Sequence, residues 1–315
     1  MNKKILIVDK VHKDLVAKIA KRGLSCEVNP TIDYQTFMEM KDDVFGLFIR
    51  NRFKIDKALL DAKKNLRFIV RIGSGLENID VAYAEKLGVR CISTPEGNSQ
   101  SVAEHCLGFL ICALKHFPIA HDDVLRGEWL REKNKGLEIG SRTIGIIGYG
   151  NTGSAFAKLL QPFGCKIYVY DKFNFGFEED YVEEVPLHTL LEKCDVLSVH
   201  INYLPENFHF INNELLKVVK KPFIFLNTSR GGVVDTTDLL KYIKNGKIQF
   251  ACLDVLEYED AHLQLLPKNY WPPVLEELVH MENVLVTPHI AGQTFEAEKR
   301  HVEVAVDKLC KIFGF

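Results

Sequence analysis

Paired cysteines and long hydrophobic runs are lacking in this sequence. None of the eight cysteines forms a Cys-x-x-Cys pair, and several lie in apolar stretches such as 250–253, which is typical of buried, reduced thiols. The apolar run 5–8 is too short for the core of a signal peptide, and the run 106–114 is about half a membrane span. We therefore expect a cytoplasmic protein without a membrane segment or a bound metal.

An excess of basic charge is also absent. Forty basic residues oppose 42 acidic ones, so the formal charge is −2 and nothing global indicates a nucleic-acid or membrane partner. Tandem repeats and low-complexity tracts are lacking as well. Apolar residues make up 47% of the 315 residues, which suffices for large buried cores and excludes a disordered chain. The length exceeds the usual range of a single domain, so we expect two.

Short apolar runs alternate with helical patterns in two series along the chain. The first series occupies residues 4–93, and the second runs from Thr143 to Thr287. Alternation of this kind implies parallel sheets with helices on both faces, so the fold class is α/β with two doubly wound domains. A long helix is expected between the two series. Ser101 and Glu104 match a capping box, which predicts that this helix starts at Ser101 and that Glu104 is a cap.

The segment Gly148-Tyr-Gly-Asn-Thr-Gly153 matches a dinucleotide-binding turn, Gly-x-Gly-x-x-Gly. An apolar run precedes it and a helical pattern follows it, which is the context that the motif requires. Gly148 permits the tight turn, Gly150 lets the backbone approach a pyrophosphate, and Gly153 lets the helix pack on the strand. The start of that helix, at Asn151 and Thr152, offers free N–H groups to phosphate. The turn therefore predicts a bound dinucleotide.

Asp171 ends the next apolar run, 18 residues beyond Gly153. A carboxylate at this spacing accepts hydrogen bonds from the ribose hydroxyls of adenosine and repels a 2′-phosphate, so NAD is favoured over NADP. Lys172 follows directly and would partly offset that repulsion. The cofactor class is therefore predicted from the turn, whereas the preference for NAD depends on Asp171 outweighing Lys172.

Six motifs, taken in order, resemble those of the D-isomer-specific 2-hydroxyacid dehydrogenase family, and the resemblance covers essentially the whole chain. Besides the dinucleotide turn they are Arg71–Asp80, Gly97–Glu104, Asn227–Asp235, Leu253–Glu259 and Thr287–Gly292. The resemblance implies a Rossmann NAD domain, 99–289, inserted in a flavodoxin-like substrate-binding domain made of 1–98 and 290–315. It also implies that the final helical stretch packs on the first domain, which periodicity alone does not show.

Oxidation of a 2-hydroxy acid requires a base, a cation for the carboxylate, and NAD. His289 matches the base of the family, and an imidazole with an unperturbed pKa of about 6.5 suits proton transfer near neutral pH. Glu259 matches the acidic partner of that histidine, although the neighbouring Glu257 and Asp260 leave the assignment open. Arg230 matches the carboxylate anchor, because a guanidinium binds a carboxylate through two parallel hydrogen bonds.

The resemblance assigns further residues to substrate and cofactor. Backbone N–H groups near Ser74 and Gly75 are expected to bind the substrate carboxylate, and Asp254 matches the position close to the nicotinamide carboxamide. Arg50 begins the cluster Arg-Asn-Arg-Phe-Lys, residues 50–54. This cluster is either a solvated loop or an anionic subsite. The second reading makes 3-phosphoglycerate the leading substrate, since phosphoglycerate dehydrogenases carry a basic residue there.

The chain departs from the family pattern in two places. Asp260 replaces a proline that often follows the catalytic glutamate, and the segment 261–280 is longer than in many relatives, so that it would cover the site or alter the substrate.

Two alternative functions stay open: a reductase of pyruvate, glyoxylate or hydroxypyruvate, and a non-catalytic NAD-sensing protein like the C-terminal-binding corepressors. The family also implies a homodimer formed through the NAD domain, and the apolar helix 102–117 is compatible with that contact.

Overall fold

A computed structural model describes residues 4–41, 43–177, 179–260 and 263–314. The chain divides into two compact units. The terminal unit comprises Met1–Ser99 and Gln293–Phe315, and the central unit comprises Gln100–Gly292. The central unit is therefore a continuous segment inserted into the sequence of the terminal unit.

The terminal unit contains a five-stranded, fully parallel sheet with the order β2-β1-β3-β4-β5. Three of its helices begin at an aspartate (Asp33, Asp56 or Asp80) whose carboxylate accepts a backbone N–H bond from the third residue beyond it, which stabilises the first turn. The strand order is that of a flavodoxin-like sheet. The elements are β1 Lys4–Ile7, α1 Asp14–Ala20, β2 Cys26–Val28, α2 Tyr34–Glu39, β3 Val44–Ile49, α3 Lys57–Ala62, β4 Phe68–Arg71, α4 Val81–Lys86 and β5 Arg90–Ile92.

The central unit contains a seven-stranded parallel sheet with the order β12-β11-β10-β9-β6-β7-β8. The direction of winding reverses between β6 and β9, which is where open α/β sheets bind their ligands. The elements are α5 Ser99–Leu114, α6 Phe117–Leu125, β6 Thr143–Ile147, α7 Asn151–Leu160, β7 Lys166–Tyr170, β8 Glu183–Glu184, α8 Leu187–Lys193, β9 Val196–Val199, α9 Asn213–Leu216, β10 Phe223–Asn227, α10 Thr236–Lys244, β11 Ile248–Leu253, α11 Pro273–Val279 and β12 Val284–Val286.

The last helix, α12 (Phe295–Phe313), belongs to the terminal unit. Its apolar side chains Val302, Ala305 and Leu309 are buried in one core cluster with Ile5 and Phe68 of the terminal sheet. A second cluster fills the other face of that sheet, and the central sheet likewise has a buried cluster on each face. The predicted class, α/β with two doubly wound parallel sheets, is confirmed.

The predicted start of α5 is wrong. The helix begins at Ser99, immediately after a short 3-10 turn at Pro95–Gly97, so Ser101 lies inside the first helical turn and is buried. Glu104 is exposed and its carboxylate accepts a hydrogen bond from the Gln100 amide at 2.9 Å, one helical turn away. Glu104 is therefore not a helix cap.

Neither a membrane span nor a metal cluster is evident in the described ranges. No single helix there is long and apolar enough to cross a membrane, and α5 with α6 passes the test of length and composition only as a pair bent by 55°. Groups of three or more metal-ligating side chains are also absent from those ranges. All eight cysteines are free thiols, three of them buried.

Candidate active site

Two glycines of the turn after β6 occupy positions that exclude a side chain. Gly148 has φ +94°, and a Cβ there would lie 2.7 Å from the carbonyl oxygen of His200. A Cβ at Gly153 would lie 2.0 Å from the carbonyl oxygen of Gly148. A Cβ at Gly150, in contrast, would meet no atom within 4 Å. The turn is therefore tightly packed against the protein at Gly148 and Gly153. It is open at Gly150, where a ligand can approach the protein backbone closely.

Helix α7 begins at this open side. Gly150 precedes its first residue, Asn151, and no side chain caps the helix N-terminus. The N–H groups of Asn151, Thr152 and Gly153 have no acceptor within the helix, and the helix dipole makes this end positive. The predicted cofactor residues thus form an open, positive helix end whose shape fits the pyrophosphate of a dinucleotide.

Asp171 lies at the end of β7 and is tied to the same turn. Its carboxylate accepts backbone N–H bonds from Tyr149 at 2.6 Å, Phe173 at 2.8 Å and Asn174 at 2.9 Å. Burial raises the pKa of this carboxyl, but the three N–H bonds outweigh burial and the net pKa is lowered. Asp171 is therefore an anion fixed beside the phosphate-binding turn, as a residue that binds ribose hydroxyls requires.

Replacing Asp171 by alanine is expected to reduce discrimination against NADP. The carboxylate that would repel a 2′-phosphate disappears, so the ratio of kcat/KM for NADH to that for NADPH should fall about tenfold or more. Asp171→Asn is the matched variant, because it keeps an oxygen acceptor for the Tyr149 N–H group and removes the charge. An unchanged ratio in both variants, measured with one 2-oxo acid, would remove Asp171 from the ribose site.

His200, which follows β9, was not anticipated from the sequence. It is 8% exposed, its Nε2 pairs with the Ser198 hydroxyl at 2.8 Å, and its Nδ1 pairs with the Thr152 hydroxyl at 3.2 Å. Burial lowers the pKa of His200 to about 4, so the imidazole is neutral near pH 7. Through its bond to Thr152, His200 stabilises the start of helix α7. One sequence signal could have identified His200. It is a polar residue directly after an apolar strand, next to the point where the winding of the sheet reverses.

His289 and Glu259 form a hydrogen-bonded pair. His289 Nδ1 lies 2.6 Å from Glu259 Oε2, and their side chains are 19% and 14% exposed. The other oxygen of Glu259 accepts the Leu256 backbone N–H bond at 2.6 Å. His289 has φ +54°, a conformation that non-glycine residues rarely adopt, and its N–H donates to the Asp254 carbonyl oxygen at 2.8 Å. Of the two glutamates left open by the sequence, Glu259 is the one paired with His289.

Asp254 organises the loop that carries His289. Its carboxylate is buried and accepts hydrogen bonds from the Thr287 hydroxyl at 2.6 Å, the Ile290 N–H at 2.8 Å and the Ala291 N–H at 2.8 Å. These contacts fix the backbone on both sides of His289. The predicted contact with the nicotinamide carboxamide stays a prediction.

Arg230 follows β10 in a turn braced by Asn227. The Asn227 side chain accepts bonds from the Ser229 N–H and hydroxyl at 3.0 and 2.7 Å and donates to the Arg230 carbonyl oxygen at 3.1 Å. Gly231 lies so close to the next loop that a Cβ there would be 2.0 Å from the Leu256 carbonyl carbon. The turns that carry Arg230 and Glu259 are therefore in direct contact.

The three predicted catalytic residues follow neighbouring strands of one sheet. Arg230 comes after β10, Glu259 after β11 and His289 after β12, and these strands are adjacent and parallel. Their carboxyl ends meet at the same edge, where ligands collect in α/β sheets. The described part of the chain thus places an imidazole, its carboxylate partner and a guanidinium along one sheet edge.

The predicted substrate residues lie in the terminal unit. The Ser74 hydroxyl donates to the Asn98 side chain at 2.8 Å, and Gly75 leaves no room for a side chain, since a Cβ would lie 1.8 Å from the Glu77 carboxylate. Arg50 is partly exposed, 3.3 Å from the Gln293 amide oxygen and 3.8 Å from the Glu298 carboxylate.

Two arginines of the basic cluster 50–54 have different surroundings. Arg52 donates to the carbonyl oxygens of Val8 and Pro30 and lies 3.7 Å from the Asp9 carboxylate. It therefore ties the loop to the end of β1. Arg50 keeps a partly exposed guanidinium, and its role in an anionic subsite stays a prediction.

Comparison with known proteins identifies the family. The family described as D-isomer specific 2-hydroxyacid dehydrogenase, NAD binding domain, matches residues 107–291, more than half of the chain. The chain belongs to this family. It is 34% identical over 287 residues to a hydroxypyruvate reductase of Thermotoga maritima, which covers 90% of this chain and 89% of the relative.

Two further similarities extend over nearly the whole chain. A D-3-phosphoglycerate dehydrogenase of Methanocaldococcus jannaschii is 31% identical over 98% of this chain, which spans 57% of the length of that relative. A D-lactate dehydrogenase of Aquifex aeolicus, solved with NAD and lactic acid, superposes with a TM-score of 0.81 at 26% identity, covering 99% of this chain and 96% of the other. The predicted family, the class of NAD-dependent oxidoreductase acting on CH–OH groups and the cofactor NAD are confirmed.

Proposed function

We propose that this member of the D-isomer-specific 2-hydroxyacid dehydrogenase family interconverts a small 2-hydroxy acid and its 2-oxo acid. The observation that carries the proposal is the 2.6 Å pair between His289 and Glu259 beside the turn of Arg230. In this proposal the central unit binds NAD and the terminal unit is the substrate-binding domain. The predicted boundaries, 1–98 with 290–315 and 99–289, describe that division of roles.

His289 is the acid and base of the proposed reaction. Since Nδ1 is paired with Glu259, Nε2 is the nitrogen that exchanges a proton with the substrate. During oxidation Nε2 takes the hydroxyl proton, and Glu259 stabilises the resulting imidazolium. NAD, held by the turn at 148–153 and by Asp171, would supply the acceptor for the hydride that leaves the substrate carbon. During reduction the protonated Nε2 donates to the carbonyl oxygen.

Arg230 is the proposed carboxylate anchor. Its guanidinium offers two parallel N–H donors to the substrate carboxylate and places positive charge next to the reacting oxygen. Ser74 and Gly75 are proposed to contribute N–H groups to the same carboxylate. Held in this way, the substrate presents its hydroxyl to His289 in one orientation, which lowers the entropic part of the barrier.

The basic cluster favours a small uncharged substituent on the substrate. A phosphate beside Arg50 would also face the Glu298 carboxylate, 3.8 Å from the guanidinium, whereas a hydroxyl can bind to both groups. We therefore propose reduction of hydroxypyruvate as the main activity. Oxidation of 3-phosphoglycerate is the second candidate, supported by the partly exposed guanidinium of Arg50 and by the similarity to a phosphoglycerate dehydrogenase.

A panel of substrates tests the proposal. We expect kcat/KM for NADH oxidation to be highest with hydroxypyruvate and lower with glyoxylate and pyruvate. The value for hydroxypyruvate should also exceed kcat/KM for 3-phosphoglycerate, measured in the reverse assay with NAD. Arg50→Gln should lower kcat/KM for hydroxypyruvate only a few fold and abolish any turnover of 3-phosphoglycerate. A preference for 3-phosphoglycerate would reverse the substrate assignment. NADH binding without turnover of any acid would support the NAD-sensing alternative.

We propose that two copies of the chain associate through the central unit. Helix α6 and the turn after it expose six large apolar side chains: Phe117, Val124, Leu125, Trp129, Leu130 and Leu137. The buried Asp123 carboxylate holds this turn through Arg126, Lys133 and Asn134. Light scattering should give the mass of a dimer for the wild type and of a monomer for Trp129→Glu; a monomeric wild type would contradict the proposal.

A further inference from the structure

A second histidine–carboxylate cluster contacts the turns that carry Arg230 and Glu259. His209 Nε2 is 2.6 Å from Glu257 Oε1, and His209 Nδ1 is 3.4 Å from Asp235 Oδ2. The other oxygen of Glu257 accepts two bonds from Thr236, from its N–H at 3.1 Å and from its hydroxyl at 2.7 Å. The side chains of His209, Glu257 and Asp235 are each less than a third exposed. None of these residues has a part in the proposed proton or hydride transfer.

The cluster touches both turns that carry the proposed catalytic side chains. Glu257 belongs to the turn in which the Leu256 N–H group binds the Glu259 carboxylate. The His209 N–H group donates to the Gly232 carbonyl oxygen at 3.0 Å, two residues after Arg230. His209 therefore bonds to one turn through its side chain and to the other through its backbone.

The backbone of His209 supports a specific role. Its φ of +50° is in the left-handed region, which it shares with the proposed base His289 and with few other described non-glycine residues. Such a conformation persists where surrounding contacts determine it. Here the contacts are the Gly232 carbonyl, a bond from the Asn212 amide to the His209 carbonyl oxygen at 2.8 Å, and the Phe208 ring stacked at 3.8 Å.

We propose that His209 and Glu257 are positioning residues that hold the Glu259 turn against the Arg230 turn, so that Glu259 stays within hydrogen-bond distance of His289. This inference rests on the proposed function. The Glu259 turn is short, and the Glu257 carboxylate, held by three donors, anchors it through a side chain on the side of Arg230. Release of that anchor lets the Glu259 carboxylate move without removing any group that contacts substrate or cofactor.

Kinetic variants test the inference. Asparagine tolerates left-handed backbone but is too short to reach Glu257, so His209→Asn removes the side-chain bond and keeps the conformation. We expect His209→Asn and Glu257→Ala to lower kcat about 10- to 100-fold, with the dissociation constant of NADH changed by less than about twofold. Glu257→Gln keeps an oxygen acceptor for Thr236 and should restore part of the loss.

Two further readouts separate positioning from a merely structural role. The pH profile of kcat/KM should differ from that of the wild type in both variants, because a displaced Glu259 no longer holds Nδ1 of His289. In the double variant, kcat should fall about as much as in the single variant with the larger loss, since the two residues act through one contact. The control is Glu277→Gln, which breaks an exposed pair with Lys244 at 2.6 Å in the same unit and should leave kcat unchanged.

The outcomes distinguish this inference from the proposed function. If His289→Ala abolishes turnover while His209→Asn and Glu257→Ala keep wild-type kcat and pH profile, the inference is wrong and the proposed function stands. A lowered melting temperature with normal kinetics would likewise overturn the inference alone. If His289→Ala itself leaves turnover unchanged, the proposed function fails, and the inference fails with it.

Discussion

Replacing His289 by alanine is expected to lower kcat by about 10²- to 10⁴-fold, which is the range that general acid–base catalysis contributes. NADH binding should stay nearly intact, because the predicted cofactor residues at 148–153 and Asp171 lie outside the His289 loop. His289→Asn is the matched variant, since asparagine accepts the left-handed backbone at this position but lacks a base. Stopped-flow fluorescence of NADH and steady-state rates measure the two effects separately.

The control for this experiment is His280→Ala, an exposed histidine at the end of α11 whose contacts are with Glu276. It should leave both kcat and NADH affinity unchanged. Loss of NADH binding in both His289 variants would show that the residue supports the fold of the cofactor site and would contradict its role as the base. Wild-type kcat in either His289 variant would also contradict the role of His289 as the base.

Arg230→Ala is the change with the second-largest expected effect, a loss of about 10²- to 10³-fold in kcat/KM. The variant removes the two donors that hold the substrate carboxylate, so KM for the 2-oxo acid should rise most. Arg230→Lys restores the charge without the forked geometry and should recover only a small part. The pattern across the two variants separates a bidentate anchor from a simple positive charge.

The control is Arg142→Ala, which removes a half-buried guanidinium that binds the Ser141 hydroxyl before β6 and should not change kcat/KM. Chemical rescue gives a further check, because added guanidinium should restore part of the activity of Arg230→Ala and none of His289→Ala. An unchanged kcat/KM in Arg230→Ala would refute the anchoring role and would leave the substrate carboxylate to the N–H groups of the terminal unit.

Most of the fold is readable from the sequence. Strands such as β6 and β10 are continuous apolar runs because both faces of a parallel sheet are buried, and runs of this kind stand out along the chain. Strands β2 and β8 escape such a reading because they are short edge strands with charged, exposed residues. The start of α5 is misplaced because a capping-box pattern at Ser101 and Glu104 competes with a 3-10 turn that sequence alone does not reveal.

The site is predictable in outline and not in its supports. Arg230, Glu259 and His289 each follow an apolar run, so a parallel sheet brings them to one edge. The bond between His209 and Glu257 joins residues 48 positions apart and depends on a left-handed backbone at a histidine. Likewise, the buried carboxylate of Asp254 uses three donors of the His289 loop, a geometry that no local pattern encodes.

Three side chains at one edge of the central unit's sheet, those of His289, Glu259 and Arg230, form the proposed active site. A crystal structure of the protein with bound NADH and an unreactive 2-oxo acid analogue tests it most directly. We expect His289 Nε2 within hydrogen-bond distance of the keto oxygen, Glu259 still paired with Nδ1, and both guanidinium donors of Arg230 on the carboxylate. A nicotinamide ring bound with its C4 atom remote from all three side chains would contradict the account.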